Sequence, residues 1–206
     1  MRTRSQKHHK PAKPGKHPAG TGSARRVPPP IVLPRPSPEN LRVVIWPADV
    51  LTTPAREVAT IDPWLQAVAE KMKALMQEHK GVGLAAPQVG IGLRMFVMSE
   101  TGKAQEASVW INPTLNDSAD ELISEEGCLS LPEIRGDVAR AKEITLRGMN
   151  LQGQWVEARL GDFPARIAQH ESDHLAGILI LDRFSSVQKI ALRKKIRDLE
   201  KSGRSN

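Results

Sequence analysis

The chain has 206 residues, 39% of them hydrophobic, and a formal net charge of +7. This length is enough for one domain with a real core, and no apolar run approaches the ~18 residues of a membrane span. The single cysteine excludes an internal disulfide and fits a reducing compartment. These features exclude a membrane-spanning protein and a disulfide-stapled secreted domain.

The positive charge is concentrated in residues 1–40. This segment holds nine Lys or Arg, one acidic residue and nine of the sixteen prolines, whereas the rest holds 21 basic and 22 acidic residues. The rest therefore lacks the basic excess of a nucleic-acid-binding domain. Residues 1–40 have almost no periodic apolar pattern, so we expect a disordered extension. Three uses stay open for it: an arm touching RNA or the ribosome, an organelle transit peptide, or a solvated tail.

The chain from residue 41 to residue 99 predicts two strands, one helix and a loop. Residues 41–46 have the composition of a strand. Asp62 and Pro63 are typical of a helix start, and apolar residues at helical spacing follow up to Met76. Residues 81–92 contain four glycines but lack the Gly-Lys-Ser/Thr ending of a phosphate-binding loop. Residues 94–99 alternate as a strand does.

The second half predicts a strand-rich region followed by two helices. Strands are expected at 108–111, 142–148 and 155–160, with a polar turn and a short strand at 114–123. Pro164 suits the first turn of a helix and Gly177 suits its end. Ser185 and Ser186 can cap a last helix over 187–201, whose apolar side includes Ile190. Its other side bears five basic residues, Lys189, Arg193, Lys194, Lys195 and Arg197.

Residues 170–174 form an H-E-x-x-H motif within the first of these helices. His170 and His174 are four residues apart, so both imidazoles leave one face and can bind one divalent metal. Glu171 would then lie beside the metal's open position, where a carboxylate can handle the proton of a water. The simpler interpretation is a surface helix with ordinary His and Glu residues.

A third metal ligand is absent downstream of the motif but available upstream. Ile180 stands where the extended metzincin pattern needs a histidine, and Asp182 fits a structural role better. Upstream, Cys128 is the only cysteine, and a thiolate is a strong ligand for borderline and soft divalent ions. Cys with two His leaves a position for water, as in catalytic sites. The alternative for Cys128 is a small buried apolar residue.

Three motifs together resemble the peptide deformylase family. They are Gly81-Val82-Gly83-Leu84-Ala85-Ala86-Pro87-Gln88, then Glu126-Gly127-Cys128-Leu129-Ser130, then Gln169-His170-Glu171-Ser172-Asp173-His174. The resemblance covers roughly residues 41–184 and implies an α+β fold, with antiparallel sheets packed around a central helix that bears the metal motif. Residues 41–184 would be the catalytic domain, and 185–206 a basic helix with a tail.

The resemblance also implies roles for individual residues. One divalent metal, Fe²⁺ first and Zn²⁺, Ni²⁺ or Co²⁺ as alternatives, would be held by Cys128, His170 and His174. Glu171 would be the proton carrier, while the Gln88 amide and the Leu129 backbone N–H would stabilise the developing oxyanion. Arg166 and Ser124 stand where some members have apolar residues. The substrate-binding residues would be Val82, Gly83, Leu84, Glu126, Gly127, Phe163, Ile167 and His170.

The predicted function is hydrolysis of the N-formyl group from the formyl-methionine of new proteins. The predicted partners are N-formylmethionyl nascent polypeptides, with the ribosome as a partner of the basic last helix or the N-terminal arm. We expect a cytoplasmic monomer without membrane contact, or an organelle-matrix protein if residues 1–40 are a transit peptide. Two other classes remain: an HExxH zinc peptidase, and a non-catalytic, deformylase-like metal-binding protein associated with ribosomes.

Overall fold

The structure is a computed structural model that describes residues 35–203. One antiparallel sheet contains five strands that are adjacent in the order of the sequence: β1 (Gly83–Ala85), β2 (Met95–Met98), β3 (Ser108–Cys128), β4 (Leu131–Met149) and β5 (Trp155–Gly161). The described residues form four α-helices, namely α1 (Pro63–Glu78), α2 (Asp162–Leu175), α3 (Ile180–Arg183) and α4 (Ser186–Gly203). Short 3-10 helices lie at Pro38–Asn40, Asp49–Leu51, Ala86–Val89 and Ala104–Glu106. The predicted α+β class is confirmed.

Helices α1 and α2 lie on opposite faces of the sheet. Successive side chains of a strand point to opposite faces. In β2, Met95 and Val97 belong to the core that includes the buried face of α1, whereas Phe96 and Met98 belong to the core that includes α2. All four residues are buried, so the short strand β2 connects the two cores.

Helix α1 forms as its sequence predicts. The Asp62 side chain caps it by accepting a hydrogen bond from the Leu65 N–H at 2.9 Å, and Pro63 occupies the first helical position. Residues 35–40 lie against this helix, since Trp64 Nε1 donates to the Pro36 carbonyl at 2.9 Å. Residues 1–34, most of the predicted extension, lie outside the described residues.

Helix α4 covers a third apolar cluster at the end of the β3–β4 hairpin. Its Leu192, Ile196 and Leu199 pack against buried residues of that cluster, as predicted. Ser185 caps the helix, because its hydroxyl accepts from the Gln188 N–H at 3.2 Å. Ile190, expected on the apolar side, is 73% exposed, so that expectation is wrong.

Two predicted elements differ in the structure. Residues 41–46 form no strand, because Val44 N–H donates to the Gln88 carbonyl and Trp46 N–H to the Ser130 carbonyl, on two separate segments. The polar stretch 114–123 belongs to the single strand β3, whose register shifts absorb residues with positive φ such as Asn112 and Asp117. Irregularities of this kind let a polar, turn-like sequence remain in a strand.

Candidate metal centre and active site

Cys128, His170 and His174 meet at one point where α2 passes the end of β3. Their ligand atoms all lie within 4.8 Å of one another, and Cys128 Sγ is 3.3 Å from His174 Nε2. Helix α2 is fixed there by Ala165, Ala168 and other buried apolar residues of the second core. The Gln169 side chain also bonds both the N–H and the carbonyl of Ala141 in β4.

The chemistry of this donor set fits a divalent metal. A thiolate and two imidazoles are the ligands of zinc, iron, nickel and cobalt sites, and three protein ligands leave room for water. Within the described part of the chain, Glu171 Oε2, Ser172 Oγ and His174 Nδ1 are buried without a hydrogen-bond partner. Buried polar atoms seldom stay unpaired, and Glu171 borders the same cavity as Cys128 and His170, so its unpaired oxygen indicates a site completed by a group that is not protein.

Glu126 fixes the ring of His170. Its Oε2 lies 3.0 Å from His170 Nδ1, which leaves Nε2 as the nitrogen available to a metal. Arg140 holds the same carboxylate through two bonds of 2.9 Å, from Nε to Oε1 and from Nη2 to Oε2. Burial raises the pKa of Glu126, but the hydrogen bonds from His170 and Arg140 lower it well below its usual value.

This pKa predicts how stability changes in acid. A carboxyl whose folded pKa is lowered stabilises the protein in full above its ordinary pKa of 4.5, and that contribution is lost as pH falls toward the folded pKa. We expect the contribution of Glu126 to the urea midpoint of chelated protein, measured as the difference between wild type and Glu126→Gln, to shrink between about pH 5 and about pH 3. Chelated Glu126→Gln should decline less steeply over this range, and equal slopes would contradict the assignment.

Arg140 belongs to a buried network that sequence reasoning missed. Besides Glu126, it binds Asp173 Oδ2 through Nη1 at 2.5 Å. Arg183 of α3 also binds Asp173, with Nη2 2.5 Å from Oδ1. Arg166, noted in the sequence only for its polarity near the pocket, also binds Glu126. The one sequence signal for this network was the presence of charged residues within predicted strands and helices. A single sequence does not show which of these residues pair with one another.

Glu171 lies beneath β1, packed against Gly83. It is 3% exposed, and burial raises the pKa of its carboxyl to about 7. A Cβ at Gly83 would clash with the Glu171 carboxylate, so only glycine permits this approach. The carboxylate can therefore take up and release a proton near neutral pH.

Gln88 directs its amide nitrogen toward the metal ligands. It lies in the 3-10 helix Ala86–Val89 and is 2% exposed. Its Oε1 accepts from the Ala85 N–H at 2.9 Å, which sets the orientation of the amide. Its Nε2 donates to Cys128 Sγ at 3.4 Å and to Ser130 Oγ at 3.3 Å.

A cavity of about 390 Å³, here called the site cavity, opens beside these groups. Of the predicted substrate-binding residues, only Leu84 is missing from its lining. Side chains alternate along β1, so Leu84 points into the α1 core, away from Glu171. The lining comprises Lys80, Gly81, Val82, Gly83, Gln88, Glu125, Glu126, Gly127, Cys128, Leu129, Arg135, Phe163, Arg166, Ile167, His170 and Glu171.

Comparison with known families decides the assignment. The family model described as polypeptide deformylase matches residues 40–190, most of the chain and all of the site described above. The chain belongs to the peptide deformylase family. It is therefore a metal-dependent hydrolase that removes a formyl group, and the deformylase interpretation of its three motifs is confirmed. The zinc peptidase and the non-catalytic protein are not favoured.

Curated relatives and solved structures agree with this assignment. The peptide deformylase of Thermotoga neapolitana is 43% identical over 164 residues, covering 79% of this chain and 98% of that protein. The peptide deformylase of Rhodopirellula baltica is 40% identical, covering 78% and 77%. A Plasmodium falciparum peptide deformylase structure has a TM-score of 0.77 at 33% identity, covering 80% and 98%. A plant peptide deformylase has a TM-score of 0.76 at 31% identity, covering 79% and 90%.

The family's metal requirement agrees with the donor cluster of Cys128, His170 and His174. Within residues 35–203, none of the helices combines the length and the apolar composition needed to cross a bilayer.

Proposed function

We propose that this deformylase hydrolyses the formyl group of N-terminal formyl-methionine on nascent polypeptides and releases formate. The convergence of the required groups on and directly behind one cavity supports the proposal. Two of the metal donors, Cys128 and His170, border the space in which the formyl group would be held, together with the buried carboxyl of Glu171 and the amide of Gln88. The third donor, His174, lies behind them, with its ligand atom within 4.8 Å of theirs.

The metal donors are Cys128, His170 and His174, and they hold one divalent ion. When bound, such an ion lowers the pKa of its water toward ~7 and supplies a nucleophile at neutral pH. We infer Fe²⁺ from the resemblance to deformylases, whereas the donor set alone fits Zn²⁺, Ni²⁺ and Co²⁺ equally well. The Glu126 carboxylate keeps His170 in the tautomer that binds metal.

Glu171 moves the proton of the reaction. Its carboxylate takes a proton from the attacking water and gives it to the amine that leaves when the C–N bond breaks. Its pKa of about 7 suits both steps, because each protonation state is accessible near neutral pH. The formyl carbon leaves as formate.

Gln88 and Leu129 stabilise the charge that develops on the formyl oxygen. The Gln88 Nε2–H and the Leu129 backbone N–H are the two donors, and both residues border the site cavity. The Ala85 N–H holds the Gln88 amide in place before substrate arrives. One N–H of Nε2 would exchange its long bond to Cys128 Sγ, at 3.4 Å, for a bond to the formyl oxygen.

The methionine side chain enters the apolar part of the site cavity. Val82, Phe163, Ile167 and the ring of His170 border that part. The backbone of the substrate lies alongside Gly83 and Gly127, where the absence of side chains permits pairing in the manner of an added strand.

Replacing Gln88 by leucine is expected to lower kcat about 10²–10³-fold, because one oxyanion donor is lost. The metal content should stay at one per chain, since Gln88 is not a ligand in this proposal. Formate release measured at saturating peptide provides the test, with Gln152→Leu in the exposed β4–β5 turn as the matched control. A Gln88→Leu enzyme with full kcat would remove Gln88 from the mechanism.

The basic face of α4 is proposed as a contact for ribosomal RNA. Lys189, Arg193, Lys194, Lys195 and Arg197 are all exposed, while the opposite face packs on the domain. Pelleting with ribosomes at increasing salt tests this, because phosphate contacts weaken as salt rises.

We further propose a cytoplasmic monomer with its catalytic domain at 41–184 and a basic C-terminal helix and tail at 185–206. The organelle matrix is the alternative location if residues 1–40 are a transit peptide.

The decisive experiment measures formate release from a formyl-methionyl peptide. The full chain is prepared anaerobically with Fe²⁺ and compared with a chelated sample, with metal content determined for both. Release by the loaded protein alone is expected. If the protein holds one metal per chain but releases no formate, the proposed reaction is wrong, and a peptide library would then be screened for proteolysis.

A further inference from the structure

Arg166 is a buried cation whose place in the reaction is not explained by the proposed mechanism. It lies on α2, one turn before His170, and is 7% exposed. It also borders the site cavity, beside the apolar residues proposed to receive the methionine side chain. A charge in such a place is unfavourable unless it is paired and hydrogen-bonded.

The guanidinium of Arg166 connects α2 to both strands of the β3–β4 hairpin. Its Nη1 donates to Glu126 Oε1 at 2.6 Å and to the Val138 carbonyl at 3.0 Å. Its Nη2 donates to the Leu122 carbonyl at 2.5 Å. Three acceptors on two strands thus fix the plane of the guanidinium.

Glu126 is held by two arginines that belong to different elements. Arg140 approaches from β4 and binds both carboxylate oxygens within the sheet. Arg166 approaches from α2, the helix that also bears His170. Glu126 therefore receives two bonds from α2, one from Arg166 on Oε1 and one from His170 Nδ1 on Oε2.

These two bonds fix the carboxylate relative to the helix that presents the metal ligand. Positions 166 and 170 lie on one face of the helix, four residues apart. Without Arg166, Glu126 would keep its bonds to Arg140, which reaches α2 only indirectly through Asp173, and His170 Nδ1 would be the one direct hydrogen bond from α2 to Glu126 among the described residues. The orientation of the His170 ring would then be less well defined.

We propose that Arg166 is a positioning residue that orients the metal ligand His170 through Glu126. The proposal rests on the ligand set proposed above. Partners outside the ligand shell commonly contribute a 10–100-fold factor to metal affinity, so the loss of Arg166 should weaken binding by roughly that amount.

The test measures Co²⁺ affinity by competition with a chromophoric chelator, together with the thiolate-to-cobalt absorption. Arg166→Met and Arg166→Lys are compared with wild type. Both should bind Co²⁺ about 10–100-fold more weakly. Lysine keeps the charge, but its single ammonium cannot reproduce the planar fork that reaches three acceptors. Full affinity in Arg166→Lys would show that charge alone suffices and would overturn the proposal.

Arg135→Met is the matched control. Arg135 also borders the site cavity and also pairs with a glutamate, but its partner is the exposed Glu125, at 2.9 Å. Its replacement removes the same charge and should leave Co²⁺ affinity unchanged. An equal loss in the Arg135 and Arg166 variants would indicate a general effect of charge and would contradict a specific role for Arg166.

A double variant separates positioning from general damage to the fold. If Arg166 acts through Glu126, adding Arg166→Met to Glu126→Gln should weaken Co²⁺ binding little further, whereas independent effects would add. Additive losses would overturn the proposal. Wild type that binds Co²⁺ without thiolate absorption would instead refute the ligand set, and the proposal with it. Wild-type affinity in Arg166→Met would refute the role of Arg166 alone.

Discussion

Replacing Glu171 by glutamine is expected to lower kcat by about 10²–10⁴-fold while leaving KM and metal content nearly unchanged. Glutamine has almost the same size as glutamate, so it occupies the same space against Gly83. A side chain at position 83 would clash with residue 171, and glycine avoids that clash. It cannot accept a proton from water or pass one to the leaving amine. The loss should therefore appear in the chemical step and not in binding.

Formate release from a formyl-methionyl peptide measures kcat and KM for this variant, with metal determined on the same sample. Glu157→Gln, an exposed carboxylate in β5, makes the same chemical change at a distance and should behave as wild type. If Glu171→Gln retains more than about a tenth of the wild-type kcat, the proton must travel by another group. A parallel loss of metal would instead show that Glu171 helps to hold the site together.

The candidate metal centre could be predicted from sequence because most of its residues are local. His170, Glu171 and His174 fall within one helical turn, so their shared face follows from helix geometry alone. The third candidate donor could be identified because Cys128 is the only cysteine and the downstream candidates failed. The structure brings these four residues together, with the three ligand atoms within 4.8 Å of one another.

The shell around the metal could not be predicted, because its contacts depend on strand register. Glu126 and Arg140 are 14 residues apart, and Glu126 and Arg166 are 40 apart. Their pairing requires the long hairpin in which Glu126 lies opposite Gly136 and Leu122 opposite Arg140. Polar residues at 114–123 concealed that hairpin, since a polar stretch is more often a turn than a strand.

Leu84 also depends on strand geometry, but in its case the geometry removes a predicted residue from the site. The motif resemblance placed it among the substrate-binding residues, together with Val82 and Gly83. In the structure it fills the α1 core, because the pleat of β1 sends its side chain to the face opposite Glu171. A motif thus indicates which segment approaches the substrate, and strand geometry decides which side chains do.

The buried network should also determine stability. Replacing Arg140 by methionine is expected to lower the free energy of unfolding by about 3–5 kcal/mol. Arg140 is 5% exposed, and its guanidinium binds two carboxylates, those of Glu126 and Asp173. Methionine fills a similar volume, so the main cost is the loss of a partner for buried negative charge.

Urea unfolding of chelated protein measures this loss without a contribution from metal binding. Arg159→Met is the control, because Arg159 forms an equally short pair with Glu143, at 2.9 Å, on the exposed side of the sheet. That pair should contribute about 0–1 kcal/mol. If the two variants lose similar free energies of unfolding, the buried Arg140 network stabilises the fold no more than an exposed ion pair does.

A compensating change shows where the cost of Arg140→Met arises. If uncompensated charge is the cause, neutralising a carboxylate should restore part of the stability. Asp173→Asn is the suitable second change, because Arg183 would still donate to the remaining oxygen, whereas Glu126 is needed at His170. A double variant more stable than Arg140→Met alone is therefore expected. A further loss would instead mean that Arg183 depends on the full charge of Asp173, and that α3 is attached to the metal helix by that ion pair.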